Sequence, residues 1–484
     1  MPYQHGIGVG EAPTSIPTPV QSTEGVPVIF GTAPVNLAAD PAHATNKLFL
    51  CKNFAEAKAA LGYSEDYANY TLCQAMDAFF KVFAVAPVVL CNVLDPSSAT
   101  HKEALTQTSA TVTNNQAVLT EDGIILSTLT FKNGNTDLVI DVDYTLSFND
   151  AGKVVVTLLT SVSTLTVAGY KLKPAGVTLA EVIGTIDANT GVYTGIQLVD
   201  KVYPELHVAP GAILAPGWSH NPSVGLALSA KCEEISGCFR AECVVDIDCG
   251  QTNSGALKYT DVETVKNNSG FGDVHMISLW PEVKVADKQF AYSAIFTAMM
   301  YSTDYANGDV PCNSPSNKSI KISTACLHNG TPVDLDQDQA NELNGVGVVT
   351  VLYWGGDYKS WGNNTAAYPA TTDPKDRWIA CRRFFSWWGN SFILTYARKV
   401  DDPTDYRLIQ SIVDSENMRA NALVSEGKVA GLRMVYSQDE NPVDSVLNGK
   451  IRFKQYLAPY PPAEYIENIL EFDPSMLQSA LGGE

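Results

Sequence analysis

The sequence predicts a multidomain protein of the mixed α/β class whose first domain is interrupted by an inserted all-β sandwich. The chain has 484 residues, more than a single hydrophobic core usually organises. Hydrophobic residues make up 45% and charged residues 17%, which is enough apolar material to form cores. Helical and extended patterns alternate along most of the chain, but residues 97–197 carry extended patterns almost alone.

The first 25 residues are predicted to form an extended N-terminal arm. They contain four prolines and the glycine-rich stretch GIGVG, a composition that cannot bury a face of its own. The folded body is predicted to start with a buried strand within residues 26–36, followed by helices at residues 54–62 and 67–86 and a strand from Pro87. This strand, helix, strand order opens an α/β domain.

The insertion, residues 97–197, is rich in Thr, Val and Leu in alternation, and turns are predicted at Asn133-Gly134 and at residues 149–152. We expect a β-sandwich on the outer surface that leaves the parent domain intact. The first domain therefore comprises residues 26–96 and 198–353. In its second part Asn221 is predicted to cap a helix that has Pro222 at its first position.

Further patterns in that part predict a strand at residues 241–249, a helix at 286–305 and a strand at 346–354. The remaining residues, 354–484, are predicted to form a C-terminal α/β domain with terminal linking strands. Five of the seven tryptophans cluster at its start, where we expect a core or a subunit contact rather than a ligand platform. A helix is predicted at residues 404–426, and the strands 451–457 and 465–472 then close the chain.

The charge balance argues against several partners. Acidic residues outnumber basic ones by 52 to 32, and the formal net charge of -20 would repel phosphate backbones and anionic lipid heads. We therefore expect no nucleic-acid partner. No secretion signal and no apolar run of the roughly eighteen residues that a membrane helix needs is visible, so we expect no membrane insertion and assembly in the cytoplasm.

No motif predicts a catalytic, cofactor or metal site. GIGVG at residues 6–10 precedes any strand and lacks a Walker lysine, so it favours a flexible arm over a phosphate loop. The ten cysteines include no Cys-x-x-Cys pair and are interpreted as reduced core thiols. Carboxylate groups such as Asp401-Asp402 and the acidic run from Asp334 favour solvated loops or helix starts over a cation site. The seven histidines form no catalytic pattern.

Two long stretches resemble a known family. The opening HGIGVGEAPTSIPTPVQSTEGVPVIFGTAPVN and the C-terminal GNNTAAYPATTDPKDRWIACRRFFSWWGNSFILTYARKVDD, continuing through IRFKQYLAPYPPAEYIENILEFD, are similar to contractile phage tail sheath proteins. The resemblance covers both ends and most of the body. Residues 97–197 match nothing in the family, as expected for a variable outer domain.

The resemblance implies a structural subunit, not an enzyme, that polymerises as stacked sixfold rings around an inner tail tube. Its partners would be copies of itself, the inner tube protein, and the baseplate and tail terminator proteins of a virion tail or tailocin particle. Contraction of the polymer would drive the tube through a target cell envelope. The termini would reach into neighbouring subunits through an N-terminal set (Tyr3, Ile7, Val9, Pro13, Ile16) and a C-terminal set (Ile451, Phe453, Tyr456, Tyr465, Ile466, Ile469, Phe472).

Three alternatives stay open at this stage. The machine could belong to an infectious phage, a defective prophage, a tailocin or a cellular injection system. The chain could instead be a hydrolase on an α/β scaffold, with a well-formed pocket. It could also be a surface-binding protein that uses the insertion and the tryptophan-rich region, in which case the arms would be dispensable.

Overall fold

The computed structural model describes residues 24–149, 151–162 and 164–482. The body begins at β1. The helix predicted at residues 67–86 is shorter than expected, because α2 passes into a π-helical segment, Asp77–Phe83, which ends at Ala84, a residue in the left-handed conformation. Asn53 caps α1 by accepting a hydrogen bond from the backbone N–H of Glu56 at 2.9 Å. The elements of this part are β1 (Glu24–Gly31), β2 (Leu48–Cys51), α1 (Phe54–Leu61), α2 (Thr71–Met76) and β3 (Val88–Asn92).

The next part of the chain forms two small antiparallel sheets that share one core. Leu165 of one sheet and Val156 of the other are both buried in that core, so the sheets pack face to face. The turns predicted at Asn133-Gly134 and residues 149–152 are present. The elements are β4 (Lys102–Ala104), β5 (Ser109–Thr111), β6 (Gln116–Val118), β7 (Thr130–Asn133), β8 (Thr136–Asp137), β9 (Tyr144–Phe148), β10 (Val154–Leu158), β11 (Thr164–Ala168), β12 (Tyr170–Leu172) and α3 (Leu179–Ile183).

The chain then returns to the body that contains β1, β2 and β3. Asn221 caps α5 and Pro222 stands at its first position, as predicted. The helix predicted at residues 286–305 starts later, because the hairpin of β16 and β17 occupies its first turn. The elements are α4 (Val202–Leu206), β13 (Ala209–Leu214), α5 (Pro222–Ser229), β14 (Glu242–Asp246), α6 (Val262–Asn268), β15 (Met276–Leu279), β16 (Glu282–Val285), β17 (Lys288–Phe290), α7 (Tyr292–Ala306), β18 (Lys318–Ser319), β19 (Thr324–Cys326), α8 (Gln337–Gly345), β20 (Val348–Trp354) and β21 (Asp357–Trp361).

One nine-stranded sheet organises the body, in the order β18-β21-β20-β15-β14-β13-β1-β3-β2. The six strands from β20 to β3 run parallel, and antiparallel strands close both edges. Its central strands are continuous apolar runs because helices cover both faces, as is usual for parallel sheets. The chain is thus a mixed α/β protein, as predicted.

The last part is mostly helical and carries a separate two-stranded sheet. The predicted domain boundary at residue 354 falls inside the β20–β21 hairpin of the large sheet. Trp354 and Trp361 therefore lie in that hairpin, with ring centroids 6.4 Å apart, and not with the tryptophans of α10. The elements are α9 (Pro374–Arg377), α10 (Ile379–Tyr396), α11 (Tyr406–Ser425), β22 (Val429–Val435), α12 (Val443–Leu447), β23 (Lys454–Pro459) and α13 (Pro474–Ala480).

The cysteine prediction is right for most positions but wrong for Cys238, which is exposed, and Cys312, which is partly exposed. All ten are free thiols. Burial raises the pKa of Cys51 and Cys73 to about 12, which keeps these thiols protonated at neutral pH. Among the residues described, no helix is long and apolar enough to cross a membrane.

Candidate assembly interface

The hairpin of β22 and β23 is a sheet with an open edge. Its strands pair antiparallel, with Met434 opposite Gln455 and Leu432 opposite Leu457. Within the described chain no third strand joins them. A two-stranded sheet is marginal on its own and offers unpaired backbone groups to another strand.

One side of this hairpin is already occupied. The side chain of Asn417, on α11, accepts from the N–H of Met434 at 2.8 Å and donates to its carbonyl at 3.0 Å. Met434 therefore makes no ladder bonds with Gln455, and by the alternation of antiparallel ladders the backbone groups of Gln455 and Leu457 point away from β22. The open edge of the sheet is thus the outer side of β23.

Two aromatic clusters hold the hairpin on the helices. Phe384 and Trp388 of α10 pack with Leu432 of β22, and the indole N–H of Trp388 donates to the side chain of Gln455. A second cluster joins Met434 to Phe453 and the residues around Tyr396. The helical tryptophans thus form a core that positions the open edge, one of the two roles expected from the sequence.

Helix α10 is in turn fixed to the large sheet by buried polar contacts. Asn390 accepts from the backbone N–H of Arg240 at 2.9 Å and donates to its carbonyl at 2.7 Å. The hydroxyl of Ser386 donates to Glu242 at 2.7 Å. Burial would raise the pKa of Glu242, but His275, Ser386 and Arg383 outweigh burial and hold this pKa below its ordinary value. Helix α10 therefore connects the hairpin rigidly to the body.

The strongest of these contacts is the buried ion pair between Arg383 of α10 and Asp304 of α7. The guanidinium Nη1 lies 3.2 Å from Asp304 Oδ1, and Nη2 contacts the other carboxylate oxygen. Both side chains are less than a tenth exposed. Burial would lower the pKa of Arg383, but the facing carboxylate reverses this and raises it, so the arginine stays charged.

Beyond β23 the chain leaves the body as an exposed segment with no regular strand. The prediction of a strand at residues 465–472 is wrong for the single chain, because this segment has no partner strand among the described residues. An ion pair between Glu464 and Arg377, 2.7 Å long, connects this segment to the body. Helix α13 follows it. Large apolar side chains in this region that are more than half exposed are Tyr460, Tyr465, Ile466, Ile469, Leu470, Phe472, Met476, Leu477 and Leu481.

The predicted linking residues differ in their positions and exposure. The five of the N-terminal set lie outside the described residues. Tyr465, Ile466, Ile469 and Phe472 are exposed and apolar, as a linking role requires. Phe453 contacts Tyr436 at 6.0 Å within the chain, and the strand predicted from Ile451 begins only at Lys454. Tyr456 is half-exposed on β23, under the guanidinium of Arg433.

Sequence reasoning missed the residues that support the edge, above all Asn417 and Gln455. A signal was available for Gln455, since it stands at an inward position of an alternating strand. It also missed Leu470 and the apolar residues of α13, because the alternation ends at Asp473.

The carboxyl edge of the large sheet, where α/β enzymes bind ligands, is filled at its switch point. That point lies between β1 and β13, where the order of the parallel strands reverses. The indole N–H of Trp218 donates to Thr71 there at 3.2 Å, and Gly217 packs against Thr71 and Gln74. Among the described residues no group of three or more His, Cys, Asp or Glu could hold a metal ion.

The acidic run from Asp334 and the buried Asp246 have structural explanations. Asp336 caps α8 in a capping box with Gln339. Asp246 accepts hydrogen bonds from the hydroxyls of Ser219 and Ser293 and from the Ser293 N–H, at 2.6 to 2.9 Å. Burial raises the pKa of Asp246 to about 6, opposed by these hydrogen bonds. The phosphate-loop alternative at residues 6–10 lies outside the described residues.

The fold and this surface define a class before any relative is considered: a mixed α/β protein with an exposed apolar tail and an open strand edge, both of which are suited to pairing with other chains. No family model matches the sequence. The tail sheath protein of Burkholderia phage BcepMu is 24% identical over 99% of each chain. That of Escherichia phage P2 is 23% identical over 59% of this chain and 69% of its own. The helical sheath of the anti-feeding prophage, in its contracted state, shares the fold with a TM-score of 0.58 at 14% identity, covering 98% of this chain and 99% of its own.

The chain is similar over almost its whole length to contractile tail sheath proteins. The resemblance drawn from the two ends of the sequence is thereby confirmed, and the protein is a structural subunit of a contractile sheath.

Proposed function

We propose that this chain polymerises by strand addition at the outer edge of β23, as the repeating unit of stacked sixfold rings around an inner tail tube. The observation that carries the proposal is the pairing of an open edge with an exposed apolar segment that begins directly after it. Main-chain ladders give affinity without demanding one exact side chain, which suits a lattice that must rearrange. The expected donors are residues 1–19 and 465–472 of neighbouring subunits.

The direction of the open edge makes the proposal specific. The backbone groups of Gln455 and Leu457 are the ones that point outward, so an added strand forms its ladder with these two residues. Apolar side chains at alternate positions of the donor, such as Tyr465 and Ile469, would then be buried on the same face of the extended sheet.

Contraction is proposed to move the body, α10 and the hairpin as one unit. The Arg383–Asp304 pair and the hydrogen bonds of Asn390 resist motion between α10 and the large sheet. The change of geometry falls instead on residues 460–473, an exposed segment that the ion pair of Arg377 and Glu464 connects to the body. The energy is stored in the extended lattice, which is less stable than the contracted one but kinetically trapped.

The wider setting follows from the family. We infer a place in a virion tail or tailocin-type particle, assembled in the bacterial cytoplasm, with the inner tube, baseplate and tail terminator proteins as further partners. We also propose that the chain has no catalytic role and binds no nucleic acid, since its net charge is -20. Contraction of the purified sheath that required ATP would contradict this mechanism.

Electron microscopy of the purified protein at rising concentration tests the assembly. The full chain is expected to form long striated tubes, and variants lacking residues 1–19 or 460–484 are expected to remain small particles. A sharper variant is Leu457→Pro, which removes an outward N–H from the open edge. Circular dichroism must show that this variant is folded.

The control is Leu447→Asp, which changes an exposed apolar residue on α12, outside both the edge and the tail. It should assemble like the unchanged chain. Tubes formed by the Leu457→Pro variant or by both truncations would refute strand addition at β23. Small particles from the full chain at every concentration would instead favour the hydrolase or surface-binding alternatives.

A further inference from the structure

An open groove of about 410 Å³ lies beside β18, the strand at one edge of the large sheet. Residues of α7 line it together with Phe83, at the end of the π-helical segment, and residues from the stretch 318–321, which includes β18. Lys318 and Lys321 supply its charged groups, and among the described residues that line it there is no Asp or Glu. The groove is therefore positively charged.

A positive groove is unusual on this chain, whose formal net charge is -20. The cavity between α7 and α10, by comparison, contains the carboxylates of Glu242, Asp304 and Asp309. Another cavity, against α10, is lined by Glu233 and Glu234. A local positive potential attracts groups of negative charge, so the groove beside β18 is suited to an anionic ligand.

The two lysines are held differently. The Nζ of Lys321 donates a hydrogen bond to the carbonyl of Val82 at 2.9 Å and lies 4.8 Å from the centre of the Phe83 ring, which fixes this ammonium at the groove. Lys318 is half-buried, and its ammonium makes no ion pair or hydrogen bond with any residue that the structure describes. An unpaired ammonium beside one that is already positioned forms a site for a carboxylate, whose two oxygens accept charge-assisted hydrogen bonds.

An acidic side chain on the neighbouring strand does not fill this site. Asp357 of β21 accepts a hydrogen bond from Ser319 and lies 3.5 Å from the Nζ of Lys359. The Ser319 hydroxyl and the Lys359 charge help to hold the pKa of Asp357 below its ordinary value. Asp357 is therefore ionised with Lys359 as its partner, and Lys318 is left to a carboxylate from elsewhere.

Other copies of the chain are the expected source of that carboxylate. Acidic residues exceed basic ones by 52 to 32, so 20 carboxylates of each copy have no lysine or arginine of their own. The groove lies at an edge of the large sheet, where the next copy in a polymer can reach it. A groove on one copy and an acidic segment on another form a head-to-tail contact, which repeats from subunit to subunit.

We propose that Lys318 and Lys321 bind the carboxylate of an acidic side chain on a second copy of this chain. The contact would add an ionic link between subunits at the β18 edge, separate from strand addition at β23. This inference rests on the proposed assembly of the chain into a polymer, but it uses a different surface.

Carbodiimide cross-linking of the full chain tests the contact, because this reagent joins a lysine only to a carboxylate that touches it. Unassembled ¹⁵N-labelled and unlabelled chains are mixed, concentrated until they assemble, treated and analysed by mass spectrometry. Products that link Lys318 to an Asp or Glu are expected to carry both isotopes. Lys288 and Glu65, 2.7 Å apart within one chain, are the control and should give products of a single isotope.

Substitutions test the contribution of the charge to assembly. Lys318→Met should raise the concentration at which tubes appear roughly tenfold, because it removes a charge-assisted contact between subunits. Lys318→Arg should restore assembly. Lys58→Met, on the exposed side of α1, changes the net charge by the same amount and should have no effect. Salt at about 0.5 M should narrow the difference between the Lys318→Met and Lys58→Met variants, since it screens the contact.

The outcomes separate this contact from the proposed polymer. Normal tubes from the Lys318→Met variant, or products of Lys318 that carry a single isotope, would overturn the contact and leave strand addition at β23 intact. Products of mixed isotope from a chain that forms no tubes would support the contact and contradict the polymer. Protection of Lys318 by inorganic phosphate in dilute protein, without products of mixed isotope on assembly, would assign the groove to a free anion and overturn the role of a second copy.

Discussion

The large sheet and the C-terminal tail contain the same apolar residue types in opposite surroundings. Ile277 of β15 is fully buried, whereas Ile469 of the tail is 81% exposed. In the sheet such a side chain already contributes its transfer free energy, about 1.5–3 kcal/mol, within one chain. In the tail the same energy is available only when another chain covers it. The comparison separates residues that fold the subunit from residues that join subunits.

The largest effect is expected where the body is fixed to α10. Arg383→Met leaves the carboxylate of Asp304 buried and unpaired, and should lower the free energy of unfolding by about 3–5 kcal/mol. Urea denaturation of the unassembled chain, followed by tryptophan fluorescence, measures this. Combining the change with Asp304→Leu should recover most of the loss, because no buried charge then remains.

The control for that pair is Glu464→Gln, on the tail, which removes the charge that faces Arg377. An exposed ion pair contributes about 0–1 kcal/mol, so the change should be small. Equal losses in the Arg383→Met and Glu464→Gln variants would contradict the distinction between body and tail.

A second effect concerns Asp246, buried beneath the carboxyl edge. Its folded-state pKa of about 6 exceeds the ordinary value of 3.8. The folded state therefore binds the proton more tightly than the unfolded state, and this group stabilises the fold below pH 4 and loses that contribution as the pH rises to 6. The loss amounts to about 2–3 kcal/mol between pH 4 and pH 7.

Asp246→Asn removes this titration while keeping a side chain that can bond to Ser219 and Ser293. The melting temperature of the variant should then lack the part of the pH dependence that falls between pH 4 and pH 6. If the melting temperatures of the two proteins change with pH in the same way over this range, Asp246 is not the group responsible.

The smallest effect on the single chain is expected in the tail. Ile469→Asp should change the free energy of unfolding by less than about 0.5 kcal/mol, because no described residue covers this side chain. Assembly should nevertheless weaken, with tubes appearing only at higher concentration. A clear loss of stability in the unassembled variant would mean that Ile469 packs within its own subunit.

Local patterns predicted much of the body. The apolar runs that became β3, β14 and β20 read as buried strands because parallel strands are covered on both faces. Asn221 with Pro222 marked the start of α5, since a cap and a proline at the first position act through nearby backbone groups alone. Helix α11 was also predicted within two residues at each end.

Other features depend on distant partners, which a sequence pattern does not show. Strand β17 was assigned to the helix predicted at residues 286–305, because it is held by β16, which in turn pairs with β19, about forty residues further on. Trp354 and Trp361 were grouped with the helical tryptophans because closeness in sequence was taken for closeness in space. The sequence does not show which side of β23 is open, because this depends on the hydrogen bonds between the side chain of Asn417 and the backbone of Met434.

The chain enters and leaves the inserted sandwich through a narrow ribbon, in which Lys102 of β4 pairs with Leu172 of β12. The two strands that lead into and out of the sandwich are therefore neighbours, and the chain between them can vary in length and sequence without separating the ends that the body must hold. Such a junction accommodates the replacement of one inserted domain by another. A foreign domain with adjacent termini, grafted between these strands, would be displayed once per subunit along the particle.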